Sequence, residues 1–526
     1  MKRMCSMKQI FIIIPLMLCF LLDAGAQTKN TKKFARPAAV KSYDFKNYPL
    51  LEITKDQMQE WTKKMDQDTK REPAQVSSDG LSYLISKDLE FKKFKDTYLG
   101  LDLASNPLLI ETFIDDYMTK IKEKSVQSNN VKFIVAQMQI FKAFRSFLYR
   151  VQPYLSQTKM TNRMLLSVGY NMNHYQKTYF NNKQSAGIFK YISEPLTADD
   201  VRKEIKTAQQ FHDFLYFELY KHLQIASDML IKLASEDNSA NSTVAIYDNQ
   251  LVFLNDSFQD GIEQYKAVGR SEIYALASSL ESAMSQIAFS VSYNFEGMDK
   301  IAVEIGRIHG GLDSNLFKTE AEGLHAKKKR ELMMKPEYAS FLTLKPQVGD
   351  SLSRSYIHLQ RSIDLAESSW NNLNAQKNKK SFMFNYAIVE PYKSEGSLTV
   401  AKWKEIVKAQ NPVLIRSAVT GVSTRIQINS LFSQETAIKD LKSLLPVAFN
   451  TANGRTIKKK FGAGEAMVQA EYRNFNYGAA EAWNLDVYKK IFPDLKNNAD
   501  VPAVANILST AWGTAGAIVP FEFVLN

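Results

Sequence analysis

Cysteine is nearly missing from this chain of 526 residues: Cys5 and Cys19 are the only two, and both lie at its extreme start. Disulfides, a thiol nucleophile and a cysteine-ligated metal are therefore excluded for everything beyond residue 19. Histidine is scarce too, with six in all. His212 and His222 share one helical pattern but stand ten apart, roughly 15 Å along the axis, so they cannot chelate one metal by themselves. A phosphate-binding glycine loop followed by Lys-Ser or Lys-Thr, a Gly-x-Ser-x-Gly elbow, a His-Glu-x-x-His helix, an acidic calcium loop and a haem attachment pair are all missing. The sequence therefore nominates no catalytic, cofactor-binding or metal-binding residue, and no cofactor is expected.

What is present begins with an export signal. Lys2, Arg3 and Lys8 precede an apolar run from Ile10 to Leu22, and small residues follow at Ala24 and Ala26, the three parts that a secretory machinery reads. The run is 13 residues long and contains Pro15, whereas a helix crossing a bilayer needs about 20. Cleavage is expected after Ala26, which discards both cysteines and leaves an exported protein acting in the periplasm, cell envelope or outside the cell. Cys19 follows Leu16, Met17 and Leu18, so the small residues that precede an acylated lipoprotein cysteine are not there.

The formal charge of +12 falls to +10 once Lys2, Arg3 and Lys8 are removed against Asp23. Half of the excess sits in residues 27–49, where Lys29, Lys32, Lys33, Arg36, Lys41 and Lys46 face only Asp44. This stretch, with Pro37 and Pro49 and no helical period, reads as a basic flexible arm. It would offer peripheral contact with an anionic membrane or envelope polymer, each basic residue adding on the order of 1 kcal/mol near a charged surface. No DNA- or RNA-binding motif accompanies it, so nucleic acid is not an expected partner.

From residue 50 to 377 the dominant signal is helical, and the fold class expected is mainly α: an elongated multi-helix array or bundle with a small β-hairpin insertion. Asn106-Pro107 marks a helix start, followed by Ile110, Phe113, Tyr117 and Ile121 on one face with Asp115 and Asp116 turned away. A second helix is expected over Asn130–Val151, stopped by Pro153, and a third over Lys159–Phe180. A long one from Thr197 to Ser235 opens on a capping box, Thr197 with Asp200. Around 243–254 the period drops to two, which predicts a hairpin about Asp248-Asn249-Gln250. Helical signal resumes at Arg270 and again at Leu352, Tyr356, Leu359, Ile363, Ala366, Trp370 and Leu373, a heptad-like seam.

Lys377-Asn378-Lys379-Lys380 separates this region from a C-terminal, mainly helical domain at 378–526. There, 382–390 and 413–428 are rich enough in Ile, Val and Thr for a few strands. Helical signals follow at Val400–Gln410, Gln434–Val447, Glu465–Phe475 and Asp486–Phe492. Val501–Phe521 is free of charge but holds Asn506, Ser509, Thr510 and Thr514, so it reads as a buried closing helix rather than a membrane span. Tyr477-Gly478-Ala479-Ala480 onward faintly resembles part of a tetratricopeptide repeat, without the repeated unit that a solenoid requires.

Two pairs, Glu281-Ser282 and Glu367-Ser368, resemble the acid motif of helical lytic transglycosylases, in which a Glu followed by Ser protonates a glycosidic oxygen from an enclosed cleft. Neither is followed by the Gly-Leu-Met-Gln element of that family. Gly323-Leu324-His325 resembles the start of an imelysin-like Gly-x-His-x-x-Glu signature, but Lys328 occupies the Glu position. His309 before Gly310-Gly311 reads as a helix terminus, and His174 and His358 as ordinary histidines beside apolar stripes. The expected function is a non-enzymatic exported helical protein that presents a surface to a protein or an anionic envelope polymer. An envelope glycan-cleaving enzyme and a membrane-active helical protein are the alternatives.

Overall fold

The computed structural model describes residues 78–157, 183–236, 244–248, 251, 265–301, 304, 327–346, 350–375, 393–416, 423–449 and 480–501. The export segment, the basic arm, the helix expected at 159–180, the strand at 382–390, the boundary near 378, the helix at 465–475 and nearly all of 501–521 lie outside them. The fold is mainly α, with thirteen α-helices and three two-stranded antiparallel sheets among the described residues. None of these helices is long and apolar enough to cross a membrane.

Helices α1 (Ser78–Lys87) and α2 (Leu89–Leu99) meet at Asp88, whose carboxylate accepts from the Phe91 amide at 2.9 Å. The same carboxylate accepts from the Ser128 hydroxyl and the Asn130 side-chain amide, which ties it to Ser128, the N-cap of α4 (Asn129–Phe141). Between them, α3 (Leu109–Lys122) follows the turn at Asn106-Pro107 and buries Ile110, Phe113 and Tyr117 as its spacing predicts. Asp115 and Asp116 are exposed, paired with Lys142 and Lys120.

The helix expected from Asn130 to Val151 is broken. A 3-10 turn at Lys142–Phe144 leads to Ser146 at φ 54°, whose amide donates to the Tyr191 carbonyl at 2.8 Å. A new helix, α5 (Phe147–Gln157), then carries Pro153 inside it rather than ending there. Proline is tolerated because Ile205 supplies hydrogen bonds from outside: its amide donates to the Arg150 carbonyl at 2.7 Å and its carbonyl accepts from the Tyr154 amide at 3.0 Å. Tyr191 belongs to α6 (Lys183–Ser193).

Ile205 is free to do this because the long helix from Thr197 is not continuous either. The Thr197 and Asp200 capping box starts α7 (Ala198–Arg202), but a second one, Thr207 with Gln210, starts α8 (Ala208–Phe214). The Thr207 hydroxyl and the Gln210 side chain each accept from the other residue's amide, so a new helix starts there while the first ends at Arg202. A π turn at Leu215–Leu219 joins α8 to α9 (Tyr220–Glu236).

Strand β1 (Ala245–Asp248) falls in the 243–254 stretch, yet its partner is β2 (Tyr265–Val268) and not the residues after Gln250. Asp248 is fully buried on Lys95 at 2.6 Å, which fixes the hairpin to α2. Next come α10 (Arg270–Val291) and α11 (Ser351–Ala375), where sequence periodicity places them, and α12 (Lys393–Lys408), which begins seven residues before the expected Val400. Strands β3 (Val413–Arg416) and β4 (Ser423–Ile426) pair inside the expected 413–428. The helix expected at 434–447 is replaced by a 3-10 turn at Leu441–Leu444. Its backbone is drawn instead to 342–344, with Leu344 and Leu441 amides donating to the Lys439 and Leu342 carbonyls. Strands β5 (Ala448–Phe449) and β6 (Ala480–Ala482) and helix α13 (Leu485–Lys489) complete the described chain. One cluster of buried apolar side chains runs from Ile85 to Val501.

Candidate functional site

Helices α10 and α11 lie antiparallel along a seam of serines. Ser271 faces Ser369, Ser278 faces Ser362, Ser285 faces Ser355 and Ser292 faces Ser351, with hydroxyl oxygens 3.4, 3.2, 3.2 and 2.5 Å apart. At the two central pairs each hydroxyl donates to the carbonyl of the serine opposite: Ser278 to Ser362 at 2.7 Å and back at 2.9 Å, Ser285 to Ser355 at 2.7 Å and back at 2.7 Å. A helical carbonyl has a second lone pair to offer, and only a side chain as small as serine brings another helix near enough to use it. The four serines of α10 are spaced by seven, as are Ser355, Ser362 and Ser369. That period stands in the sequence, but serine carries no apolar signal, so a search for hydrophobic stripes passes over it. The apolar heptad on α11 turns partly elsewhere: Tyr356 stacks on Phe432 and its hydroxyl donates to the Val407 carbonyl.

Set into this seam is a buried polar cluster joining α9, α10 and α11. Glu281, wholly buried, accepts the Ser227 hydroxyl on Oε1 at 2.6 Å and the His358 Nδ1 on Oε2 at 2.6 Å. Arg361 lies 3.2 Å from Oε1 and also binds Asp228 at 3.1 Å. On the far side of the ring, His358 Nε2 meets the Tyr220 hydroxyl. Burial pushes that phenol up to about 12, so it keeps its proton. His358 is thus held between a phenol and a carboxylate.

The order hydroxyl, imidazole, carboxylate is that of nucleophilic catalysis, but a phenol whose proton is harder to remove is the reverse of an activated nucleophile. Nor does Glu281 match the glycosidase acid its Ser282 neighbour suggests. Ser227, His358 and Arg361 all meet it as partners, and its exposure is 0%. Glu367 lies on the other side of α11, clamped to Lys404 of α12 at 2.5 Å. The structure thus separates the two Glu-Ser pairs: Glu281 faces α9 and α11, whereas Glu367 faces α12. His358, read from sequence as an ordinary histidine beside an apolar stripe, is the residue that organises the cluster, with Tyr220, Ser227 and Arg361, none of which sequence reasoning singled out.

Of the remaining histidines, His174, His309 and His325 lie outside the described residues. His212 is buried with its ring stacked on Phe295 at 3.8 Å; burial, with the Lys345 charge second, pushes it down to about 3. His222 is pushed down to about 4 by burial and then by Lys142. Both are lowered in the folded state, so the unfolded chain takes up protons first as pH falls through the ordinary histidine range near 6.5. Stability is therefore whole above pH 6.5 and is lost progressively between 6.5 and about 3. Urea midpoints across that range are expected to fall for the native chain and to fall less steeply for His212→Phe; equal slopes would show that this ring is not the cause.

Among the described residues, no group of histidines, cysteines and carboxylates could hold a metal ion. The run Lys327-Lys328-Lys329-Arg330 begins a short helix, with Lys327 against Glu331 at 3.8 Å. Comparison with protein-family models, with curated proteins and with solved structures finds no match to this chain.

Proposed function

We propose that this is an exported, non-enzymatic helical protein that works through its surface, binding a protein or an anionic polymer of the cell envelope. The observation that carries this reading is the use made of the acid–base side chains at the best-formed polar cluster. Glu281, His358, Tyr220 and Arg361 spend their hydrogen bonds on one another across three helices, and their exposure ranges from none at Glu281 to partial at Arg361. Groups committed in this way hold helices together. The outer surface differs in kind: Tyr83, Leu84 and Leu89 of α1 and α2 are exposed apolar side chains, area that a protein partner could cover. The basic arm at 27–49 adds a sequence-encoded attraction for anionic polymer.

The test is retention on isolated envelope material, run beside a zymogram for glycan cleavage. The full chain is expected to leave the zymogram uncleared. It is also expected to sediment with envelope at low salt and to be released in about 1 M salt, where charges more than about 3 Å apart are screened. Replacing Lys29, Lys32, Lys33, Arg36, Lys41 and Lys46 by glutamine should remove the salt-sensitive share. A cleared zymogram would move the protein to the glycan-cleaving alternative, and no retention at any salt would sink the binding reading.

A further inference from the structure

We infer that the Glu281–His358 pair selects the register of the serine seam. The seam is degenerate by its own repetition. Sliding α11 by one heptad along α10, about 10 Å, would set Ser278 against Ser369, Ser285 against Ser362 and Ser292 against Ser355, restoring three serine pairs from the four. Hydroxyls and carbonyls at those positions are alike in both registers, so the serines bring the helices close without deciding where they stop.

The decision falls to what lies between the serine pairs. In the observed register Glu281 and His358 meet at 2.6 Å, between the pair Ser278 and Ser362 and the pair Ser285 and Ser355. In the shifted register Glu281 would face Leu365 and His358 would face Ala288, both apolar. The carboxylate would lose the His358 ring and have Ser368 in place of the Arg361 cation, and the imidazole would be parted from its carboxylate. A single buried polar contact that specifies register at some expense of stability is the best-attested use of such groups between helices. The bridge of Tyr293 to Leu344 and the Lys345 amide on the Ser292 carbonyl tie one end of the pair, and they are the competing explanation.

Disulfide trapping in the full chain, with Cys5 and Cys19 replaced by serine, separates the two. Ser278→Cys with Ser362→Cys reports the observed register, and Ser278→Cys with Ser369→Cys the shifted one. In the parent the first pair is expected to oxidise and the second to stay reduced. In Glu281→Leu with His358→Leu the shifted cross-link should rise at least about tenfold, whereas Glu281→Gln, which keeps a hydrogen-bonding partner for His358, should retain the parent pattern. The inference is overturned if the double leucine variant still cross-links only Ser278→Cys to Ser362→Cys. It is equally overturned if that variant loses its helical circular dichroism, since the pair would then be needed to fold at all, or if Glu281→Gln yields the shifted product.

Discussion

Replacing His358 with alanine is expected to lower the stability of the full chain by about 1–3 kcal/mol, because it leaves one oxygen of a wholly buried carboxylate without its donor. Glu281 would keep Ser227 and Arg361 but lose its shortest contact to α11, and Tyr220 would lose its partner. The contrast with the double leucine variant is what gives the measurement its meaning. Removing both partners at once leaves neither the carboxylate nor the ring in need of one, and well-packed apolar replacements for such buried polar groups are often neutral or stabilising. Urea denaturation should therefore rank His358→Ala below a double variant that lies near the parent. A loss under about 0.5 kcal/mol in His358→Ala, the ordinary range for a surface change, would mean that Glu281 does not depend on the ring. The double variant gives up specificity with little loss of stability, which is why its register and its midpoint have to be measured separately.

Gly187→Ala sets two rules against each other, and geometry decides between them. Alanine in place of a helical glycine ordinarily gains about 1 kcal/mol. Here a Cβ on Gly187 would lie 2.4 Å from the Leu103 Cβ and 2.5 Å from the Leu103 carbonyl carbon and oxygen. Backbone cannot rotate out of the way as a side-chain tip can. The neighbourhood is also tied down: Gln184 donates to the Leu99 and Leu101 carbonyls, and Lys190 reaches the Ala104 carbonyl. Overpacking of this kind costs about 1–3 kcal/mol or more, so the net effect is expected to be a lower thermal midpoint. A raised midpoint in Gly187→Ala would show that α6 can withdraw from the 101–104 loop without loss.

Helix positions were legible wherever one apolar face met one core, as in α3, α10 and α11. Ile110, Phe113 and Tyr117, or Ile273, Leu276 and Leu280, carry a period that says which side turns inward. That period says nothing of the partner, so it could not reveal that α11 packs its serines on α10 and its Tyr356 on Phe432. The breaks at Ser146 and at 203–207 were hidden for a related reason. Each is settled by a hydrogen bond to a distant residue, Tyr191 in one case and Arg150 in the other. The second capping box, Thr207 with Gln210, was readable in principle. It went unread because Ile205 and Ala208 continue the apolar stripe through the gap. For the polar cluster the limit was sharper still: Glu281 and His358 stand in separate helices, and only the pairing of those helices makes them neighbours.

Lys442 carries a consequence for the order in which the chain assembles. It is almost wholly buried, and its ammonium donates to the carbonyls of Tyr338, Ala339 and Phe341 at 3.1, 2.8 and 2.7 Å. Around it, Leu344 and Leu441 exchange backbone bonds with Lys439 and Leu342, and the Tyr293 hydroxyl donates to the Ile438 carbonyl. Residues 438–442 thus place much of their polar demand on a template made by 293 and 338–344. On a ribosome they emerge after that template, and a buried ammonium has no acceptors until the turn at 338–341 exists. The late segment acts as a latch that closes on earlier chain, and a truncation before residue 438 would leave the carbonyls of that turn open to water.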